Sequence, residues 1–130
     1  MRISEKNYVD KAKEVIEQLI ENEKGKKKIE IVSITQIRNL LSMSADIYNR
    51  VVLLEDDKLP DDIISKIEYL KVRMVYDAGR DDTRKVRKLV ETAKLMECIN
   101  EINESKKNYI LFYHYMEALV AYRRFLVEEN

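Results

Sequence analysis

The sequence predicts an all-α protein, folded as a single-domain bundle of about five helices over residues 1–130. The chain contains only two glycines and one proline, which leaves few positions for the tight turns that join β-strands. Apolar residues also recur at the three- and four-residue spacing of amphipathic helices through most of the chain. With 45% hydrophobic and 37% charged residues, the composition is typical of a globular domain rather than a disordered segment.

The first predicted helix runs from about Asn7 to Glu23 and has one apolar side. Gly25 is expected to end it, because glycine readily adopts the left-handed conformation found just beyond helix ends. A basic loop over about residues 24–32 follows, and the sequence leaves open whether its three consecutive lysines are ordered or mobile. The apolar side of the helix consists of Tyr8, Val9, Ala12, Val15, Ile16, Leu19 and Ile20.

Ser33 begins the second predicted helix, which extends to about Leu54. Gln36 stands three residues after Ser33, and this pair is typical of a capping box, in which both side chains accept hydrogen bonds from the backbone at the helix start. An acidic turn follows the helix. The predicted core stripe consists of Ile34, Ile37, Leu41, Ala45, Tyr48 and Val52.

Pro60 and two aspartates mark the start of the third predicted helix. Proline suits a first-turn position, and Asp61 and Asp62 stabilise the positive end of the helix dipole. Gly79 is expected to end this helix as a left-handed cap. The residues expected to face the core are Ile63, Ile67, Leu70, Met74 and Ala78.

The last two helices complete the predicted bundle. An aspartate or threonine at 81–83 is expected to cap the fourth helix, which runs to about Asn103. The fifth helix, from about Lys106 to Val127, is apolar around more than half of its circumference. Such a helix is either central to the bundle or shared with another subunit. The inward residues of the fourth helix are Val86, Leu89, Val90, Ala93, Met96 and Ile99, and the main stripe of the fifth is Tyr109, Phe112, Tyr113, Met116, Leu119 and Val120.

A stripe of aromatic and basic residues lies opposite the core side of the third helix. Tyr69, Arg73, Tyr76 and Arg80 follow one another at four-, three- and four-residue steps. Such a face suits a nucleic-acid backbone, because a guanidinium group pairs with phosphate and an aromatic ring stacks on bases. The other interpretation is that the tyrosines pack on a neighbouring helix and the arginines are solvated. The stripe alone favours this second interpretation.

The charge balance limits the kind of nucleic-acid binding to expect. The chain has 24 basic and 24 acidic residues, whereas a free-standing nucleic-acid binder is normally basic overall. The charge is nevertheless uneven, because residues 71–88 hold seven basic and three acidic side chains. This pattern favours one local phosphate-facing patch on a protein whose other surfaces meet protein partners.

Catalysis is not expected. The chain has one cysteine, Cys98, and one histidine, His114. Neither has a second residue of its own kind with which to hold a metal, and no Cys-His arrangement typical of a catalytic nucleophile is evident. A carboxylate-metal site at His114 and Glu117 is a weaker alternative. We therefore expect no cofactor and no metal. No signal peptide and no run as long as a membrane span is evident, which predicts a cytoplasmic protein without membrane contact.

Three segments carry a resemblance to a known family: residues 35–49 (TQIRNLLSMSADIYN), residues 69–80 (YLKVRMVYDAGR) and residues 115–125 (YMEALVAYRRF). In their order and spacing they resemble the small helical subunit of the type III-A CRISPR–Cas effector, the Csm complex. The similarity extends over nearly the whole chain, from about Tyr8 onward.

The resemblance implies a ribonucleoprotein that uses a guide RNA to capture complementary transcripts in antiviral defence. It implies a non-catalytic subunit that stacks in several copies beside the backbone guide-binding subunits and contacts the large signature subunit. These copies line the channel where guide and target RNA pair. The alternative is a helical protein-interaction adaptor whose basic stripe is incidental.

The motifs of the family also imply which residues face RNA. Lys71 is the least certain of them, because helical geometry places it near the core stripe. Arg84, Arg87 and Lys88 are further candidates from local charge alone. The fifth helix and the acidic segments are expected to contact other subunits. Arg123 lies on the apolar stripe of the fifth helix near its end, so a structural side chain that reaches out to solvent is an equal alternative to a functional one. The RNA-binding residues implied by the motifs are Arg38, Lys71, Arg73, Arg80 and Arg123, to which the stripe of the third helix adds Tyr76.

Overall fold

The computed structural model describes residues 2–127, so Met1 and residues 128–130, at the two ends of the predicted domain, lie outside the described residues. Within the described range the chain forms six helices: α1 (Tyr8–Glu21), α2 (Ile34–Val51), α3 (Asp61–Arg80), α4 (Lys85–Thr92), α5 (Leu95–Asn100) and α6 (Lys106–Leu126). An isolated β-bridge joins Lys58 to Ser105, and residues 2–127 contain no β-strand. The prediction of an all-α fold is confirmed.

α6 lies at the centre of the bundle and packs against both α1 and α2. The hydroxyl group of Tyr109 donates a hydrogen bond to the carbonyl oxygen of Ser44 on α2, over 2.6 Å, so the phenol is satisfied in the interior. Of the two interpretations that its sequence allowed, the structure shows the central position, although Phe125 near its end is exposed. The buried apolar residues of α6 are Tyr109, Leu111, Phe112, Tyr115, Met116, Leu119 and Val120.

α2 begins as predicted, but its buried stripe is rotated relative to the prediction. The capping box between Ser33 and Gln36 is present, with both hydrogen bonds 3.0 Å long. The predicted stripe was wrong from its third member onward, because α2 is contacted by α3 as well as by α6, and its buried face is centred between the two. The observed buried residues are Ile34, Ile37, Leu40, Ser44, Ile47 and Val51.

α3 buries the predicted side but does not end where predicted. Its core residues are confirmed except for Ala78, which is only partly buried. Asp61 and Asp62 occupy the first turn after Pro60. Gly79 is not a left-handed cap, since the helix continues through it to Arg80 and its φ angle is not positive. The buried residues of α3 are Ile63, Ile67, Leu70 and Met74.

The predicted fourth helix is divided into α4 and α5. The chain breaks its helical path at Lys94, whose φ angle is +54°, and the hydroxyl group of Tyr115 donates a 2.9 Å hydrogen bond to the carbonyl oxygen of Ala93 beside the break. The predicted cap at residues 81–83 was wrong by at least one residue, because the residue that precedes α4 is Arg84. Asp81 nevertheless supports the start of α4, since its carboxylate accepts hydrogen bonds from the backbone N–H groups of Thr83 and Val86 and from the hydroxyl group of Thr83. These bonds outweigh burial and lower the pKa of Asp81 below its usual value.

Candidate nucleic-acid interface

The side of α3 that carries Lys66 and Arg73 faces a groove between α2 and α3. The groove has an apolar floor formed by Met43, Ile47 and Leu70, and the 60% exposed ring of Tyr69 stands at its edge. Acidic and basic side chains of both helices form the rim. We call this the α2–α3 groove; its lining residues are Met43, Asp46, Ile47, Arg50, Asp62, Ser65, Lys66, Tyr69, Leu70 and Arg73.

Arg73 is the best-placed cation of the α2–α3 groove. Its side chain is exposed, and it forms no ion pair with any residue in the range 2–127. Lys66, two turns earlier on α3, shares both properties. By contrast, Arg50 at the far side of the groove is paired with Asp62 over 2.9 Å. The groove therefore offers two cations to an incoming anion without the loss of an internal ion pair.

Arg80 and Tyr76 interact with each other at the end of α3. The guanidinium carbon of Arg80 lies 5.6 Å from the centre of the Tyr76 ring, within the range of a cation–π contact. Its Nε atom also lies 3.4 Å from Oδ1 of Asp77, and Asp77 and Asp81 line the adjoining crevice. Arg80 is exposed, but these carboxylates partly neutralise it, which makes it a weaker phosphate ligand than Arg73.

Arg38 and Lys71 are not part of the α2–α3 groove. Arg38 is exposed, but it lies about 140° around α2 from Met43, which lines the groove. Lys71 lies about 160° around α3 from Arg73, and its ammonium group is paired with Glu68 over 2.5 Å. The structure thus separates these two residues from the Arg73 side, although the resemblance implied a common role.

The structure places Arg123 in the interior, which does not favour its predicted role in RNA binding. The residue is only 2% exposed, and its Nε donates a hydrogen bond to the carbonyl oxygen of Val32 over 2.7 Å. Its Nη1 lies 3.5 Å from the carbonyl oxygen of Val127. The guanidinium group therefore joins the end of α6 to the segment before α2, inside the molecule.

Sequence reasoning missed Lys66 and Tyr69 as groove residues. The sequence predicts an exposed Tyr69, but not its position at the edge of the groove. Lys66 precedes Arg73 by seven residues, and Arg73 precedes Arg80 by the same number. Because seven residues are nearly two full helical turns, this spacing could have identified a row of three cations on α3.

The remaining chemistry of the described residues offers little to a reaction. Cys98 is buried, and burial raises the pKa of its thiol to about 11, with the Glu101 carboxylate adding to the shift. His114 lies against aromatic rings, including that of Tyr8 at 6.2 Å. Among residues 2–127 no three potential metal-ligating side chains converge. Helices with the length and apolar character of a membrane span are also absent from this range.

Comparison with known proteins identifies the family. The sequence matches the Csm2 type III-A family over residues 6–129. A Mycobacterium tuberculosis protein named CRISPR system Cms protein Csm2 is 36% identical over 126 residues, which are 97% of this chain and 96% of the relative. A Streptococcus thermophilus protein of the same name is 37% identical over 123 residues, 95% of this chain and 93% of the relative. The resemblance found in the sequence is confirmed, and this chain belongs to the Csm2 type III-A family.

Proposed function

We propose that this chain is the non-catalytic small subunit of a type III-A CRISPR effector complex and that it holds an RNA strand by its sugar–phosphate backbone. The family match over residues 6–129 supports its place in such a complex. In this proposal several copies lie along the channel where guide and target RNA pair, beside the backbone guide-binding subunits and the large signature subunit. Base pairing supplies the sequence recognition, so the protein needs only backbone contacts.

The observation that carries the RNA-binding part is the exposed guanidinium group of Arg73 beside the ring of Tyr69. Arg73 forms no ion pair with another residue in the range 2–127, so a phosphate would meet it without competition from a carboxylate. The Tyr69 ring, 60% exposed, offers a face on which a base can stack. Lys66 and Arg80 place further cations about 10 Å away on either side along α3.

The neutral total charge fits a subunit that makes few contacts per copy. Each phosphate contact adds modestly to affinity, and it weakens as salt rises. Several copies arranged along one strand would bind it together, because each further contact becomes effectively intramolecular. The isolated chain should therefore bind RNA weakly, without sequence preference and with a strong dependence on salt.

Fluorescence anisotropy with labelled single-stranded RNA of mixed sequence tests this proposal at low salt. We expect Arg73→Ala to weaken binding about fivefold and to reduce the slope of log affinity against log salt by about 0.7, the value for one lost phosphate contact on a single strand. Arg73 is exposed and unpaired among residues 2–127, so the melting temperature should stay unchanged.

Arg124→Ala is the matched control, since Arg124 is an exposed arginine at the end of α6 that does not line the groove. It removes the same charge from the molecule, and it should change the affinity much less than Arg73→Ala. Equal effects of the two substitutions would mean that only net charge matters. That result would rule out the α2–α3 groove as the RNA-binding site.

The adaptor alternative has one specific observation in its favour. Val72 and Val75 are both more than half exposed on the outer face of α3, and Gly79 on the same face has open space around it. Such a face suits contact with another helix. If the chain is only an adaptor, it will purify without RNA from a low-salt lysate, whereas the proposed function predicts RNA that is removed by high salt.

A further inference from the structure

A second basic surface forms where the loop after α1 meets α4. Lys85 and Lys88 on α4 line a crevice together with Glu23 and Glu30, which lie on either side of the lysine run 26–28. These two parts of the chain are about sixty positions apart in the sequence, so only the fold brings them together. Lys26 contacts Glu23 of this crevice, and Lys27 and Lys28 follow it in the loop. We call these three lysines, together with Lys85 and Lys88, the loop–α4 surface.

A buried carboxylate holds the loop in place. Glu23 is only 6% exposed, and it accepts hydrogen bonds from Nζ of Lys26 over 2.9 Å and from the backbone N–H of Glu30 over 3.3 Å. The hydrogen bond from Lys26 holds the pKa of the Glu23 carboxyl below its usual value, against the effect of burial. Gly25, with φ +88°, makes the turn between Glu23 and Lys26. The loop is therefore built around a charged group and follows a defined path.

The remaining lysines of this surface are less fully neutralised than Lys26, although the charge of Lys88 acts on the Glu23 carboxylate and helps to lower its pKa. Lys27, Lys28 and Lys88 are exposed and form no ion pair with any residue that the structure describes. Glu23 is already taken by Lys26. Neighbouring cations repel one another, so such a cluster attracts a polyanion whose charges are spaced along a chain.

The cations also continue from this surface to the α2–α3 groove. Arg80 at the end of α3 lines a crevice with Val86 of α4, and Arg84 is exposed between the two helices. A strand that leaves the groove past Arg80 would therefore meet Arg84 next and then Lys88. Asp81 and Asp82 precede Arg84 on this route, but the Asp81 carboxylate accepts hydrogen bonds from the backbone N–H groups of Thr83 and Val86, and α4 has no acidic residue before Glu91.

We propose that the loop–α4 surface binds the phosphates of the same RNA strand that the α2–α3 groove holds, so that one strand crosses both sites on each copy. This inference depends on the proposed function, because it adds a second segment to the same binding path. It assigns a role in RNA binding to Lys27 and Lys28, which the sequence places in a basic loop without saying whether that loop is ordered or mobile. It also places Lys88 on the same RNA-binding surface as these two lysines.

Binding of a short and a long single-stranded RNA, about 5 and about 20 nucleotides, tests the shared path in the full chain. The variant carries Lys27→Gln, Lys28→Gln and Lys88→Gln. We expect about tenfold weaker binding of the long RNA and a salt slope lower by about 2, as for three lost phosphate contacts. The short RNA should bind as before, because the groove alone accommodates it.

The matched control replaces three exposed lysines elsewhere, Lys6, Lys13 and Lys107, with glutamine. If this control weakens the long RNA as much as the loop variant does, the loop–α4 surface has no specific role and the inference is wrong. In that case an effect of Arg73→Ala would leave the proposed function standing. If the loop variant weakens binding and Arg73→Ala does not, the α2–α3 groove is not an RNA-binding site. The inference that one strand crosses both sites is then wrong as well.

Discussion

The side chain of Arg123 shows how a single charged residue can connect two distant parts of a fold. Its Nε–H group donates to the Val32 carbonyl oxygen over 2.7 Å in the interior. A hydrogen bond from a charged donor is stronger than a neutral one, and the carbonyl would lose its partner if the guanidinium were removed. Val32 itself is fully buried, so water could not easily take the place of the arginine.

We predict that Arg123→Ala lowers the free energy of unfolding by about 3 kcal/mol, from the lost charged hydrogen bond and from the buried group left unsatisfied. Urea unfolding followed by circular dichroism measures this change. Arg124→Ala, one residue further along α6 and exposed, should change it by less than about 0.5 kcal/mol. A variant at Arg123 that kept full stability but lost RNA binding would restore its predicted role in RNA binding.

The predictability of the candidate site differs from residue to residue. The exposure of Arg73 followed directly from its position opposite the apolar stripe of α3, because helical periodicity alone determines that side. Periodicity also places Arg123 on the apolar stripe of α6, but its acceptor, the carbonyl oxygen of Val32, could not be predicted because it lies 91 positions away in the chain. Lys71 is an intermediate case: its place beside the core stripe was predicted, but its ion pair with Glu68 was not considered.

α3 contains a glycine that its own fold does not require. Gly79 lies inside the helix with a negative φ angle, and a Cβ atom at this position would meet no atom within 4 Å. We predict that Gly79→Ala raises the free energy of unfolding by about 0.8 kcal/mol, since alanine loses less backbone entropy on folding and favours helix. Thermal and urea unfolding of the isolated chain measure the gain.

Gly25→Ala is the opposite control, because the φ angle of Gly25 is +88° and alanine is strained there. It should lower stability. A loss of stability from Gly79→Ala as well would show that α3 does not follow the helical path described. If Gly79→Ala stabilises the chain but hinders its assembly with other subunits, the glycine serves close approach of a partner to the outer face of α3.

Helix starts were predictable where polar side chains marked them, whereas the glycine signal at Gly79 did not mark the end of α3. The Ser33–Gln36 capping box and the acidic first turn of α3 are examples, since both depend on residues adjacent in sequence. The break at Lys94 had no such signal, because lysine does not favour the left-handed conformation that it adopts there. The hydrogen bond from Tyr115 to Ala93 accompanies the break, and this contact with α6 was not evident from the sequence.

At the scale of the whole molecule, acidic caps join elements that are distant in the chain. The carboxylate of Asp57, in the turn after α2, accepts hydrogen bonds from the backbone N–H of Lys107 over 3.0 Å and from the hydroxyl group of Ser105 over 3.3 Å. This contact joins the turn to the start of α6, where a negative charge also stabilises the helix dipole. The Lys107 hydrogen bond, followed by that of Ser105, lowers the pKa of Asp57 below its usual value.

The pKa values of Glu23, Asp57 and Asp81 are lowered in the folded chain, and this determines whether acid raises or lowers the stability of the fold. A carboxyl group with a lower pKa in the folded than in the unfolded state contributes stability above its unfolded pKa, and this contribution is lost as the pH falls through the folded value. We therefore predict a nearly constant melting temperature between about pH 7 and pH 5, and a steep fall below about pH 4. Differential scanning calorimetry across this range measures the response.

Asp57→Asn isolates one part of that response, because asparagine keeps an acceptor oxygen but removes the titrating charge. The variant should melt below the wild type at pH 7, and the difference should shrink as the pH falls, since protonation removes the same charge from the native protein. Asp56→Asn is the matched control: Asp56 is exposed and makes no hydrogen bond or ion pair with the rest of residues 2–127. If both variants showed the same pH dependence, the acid response would follow from net charge, and the Asp57 cap would not contribute to holding α6 against the turn.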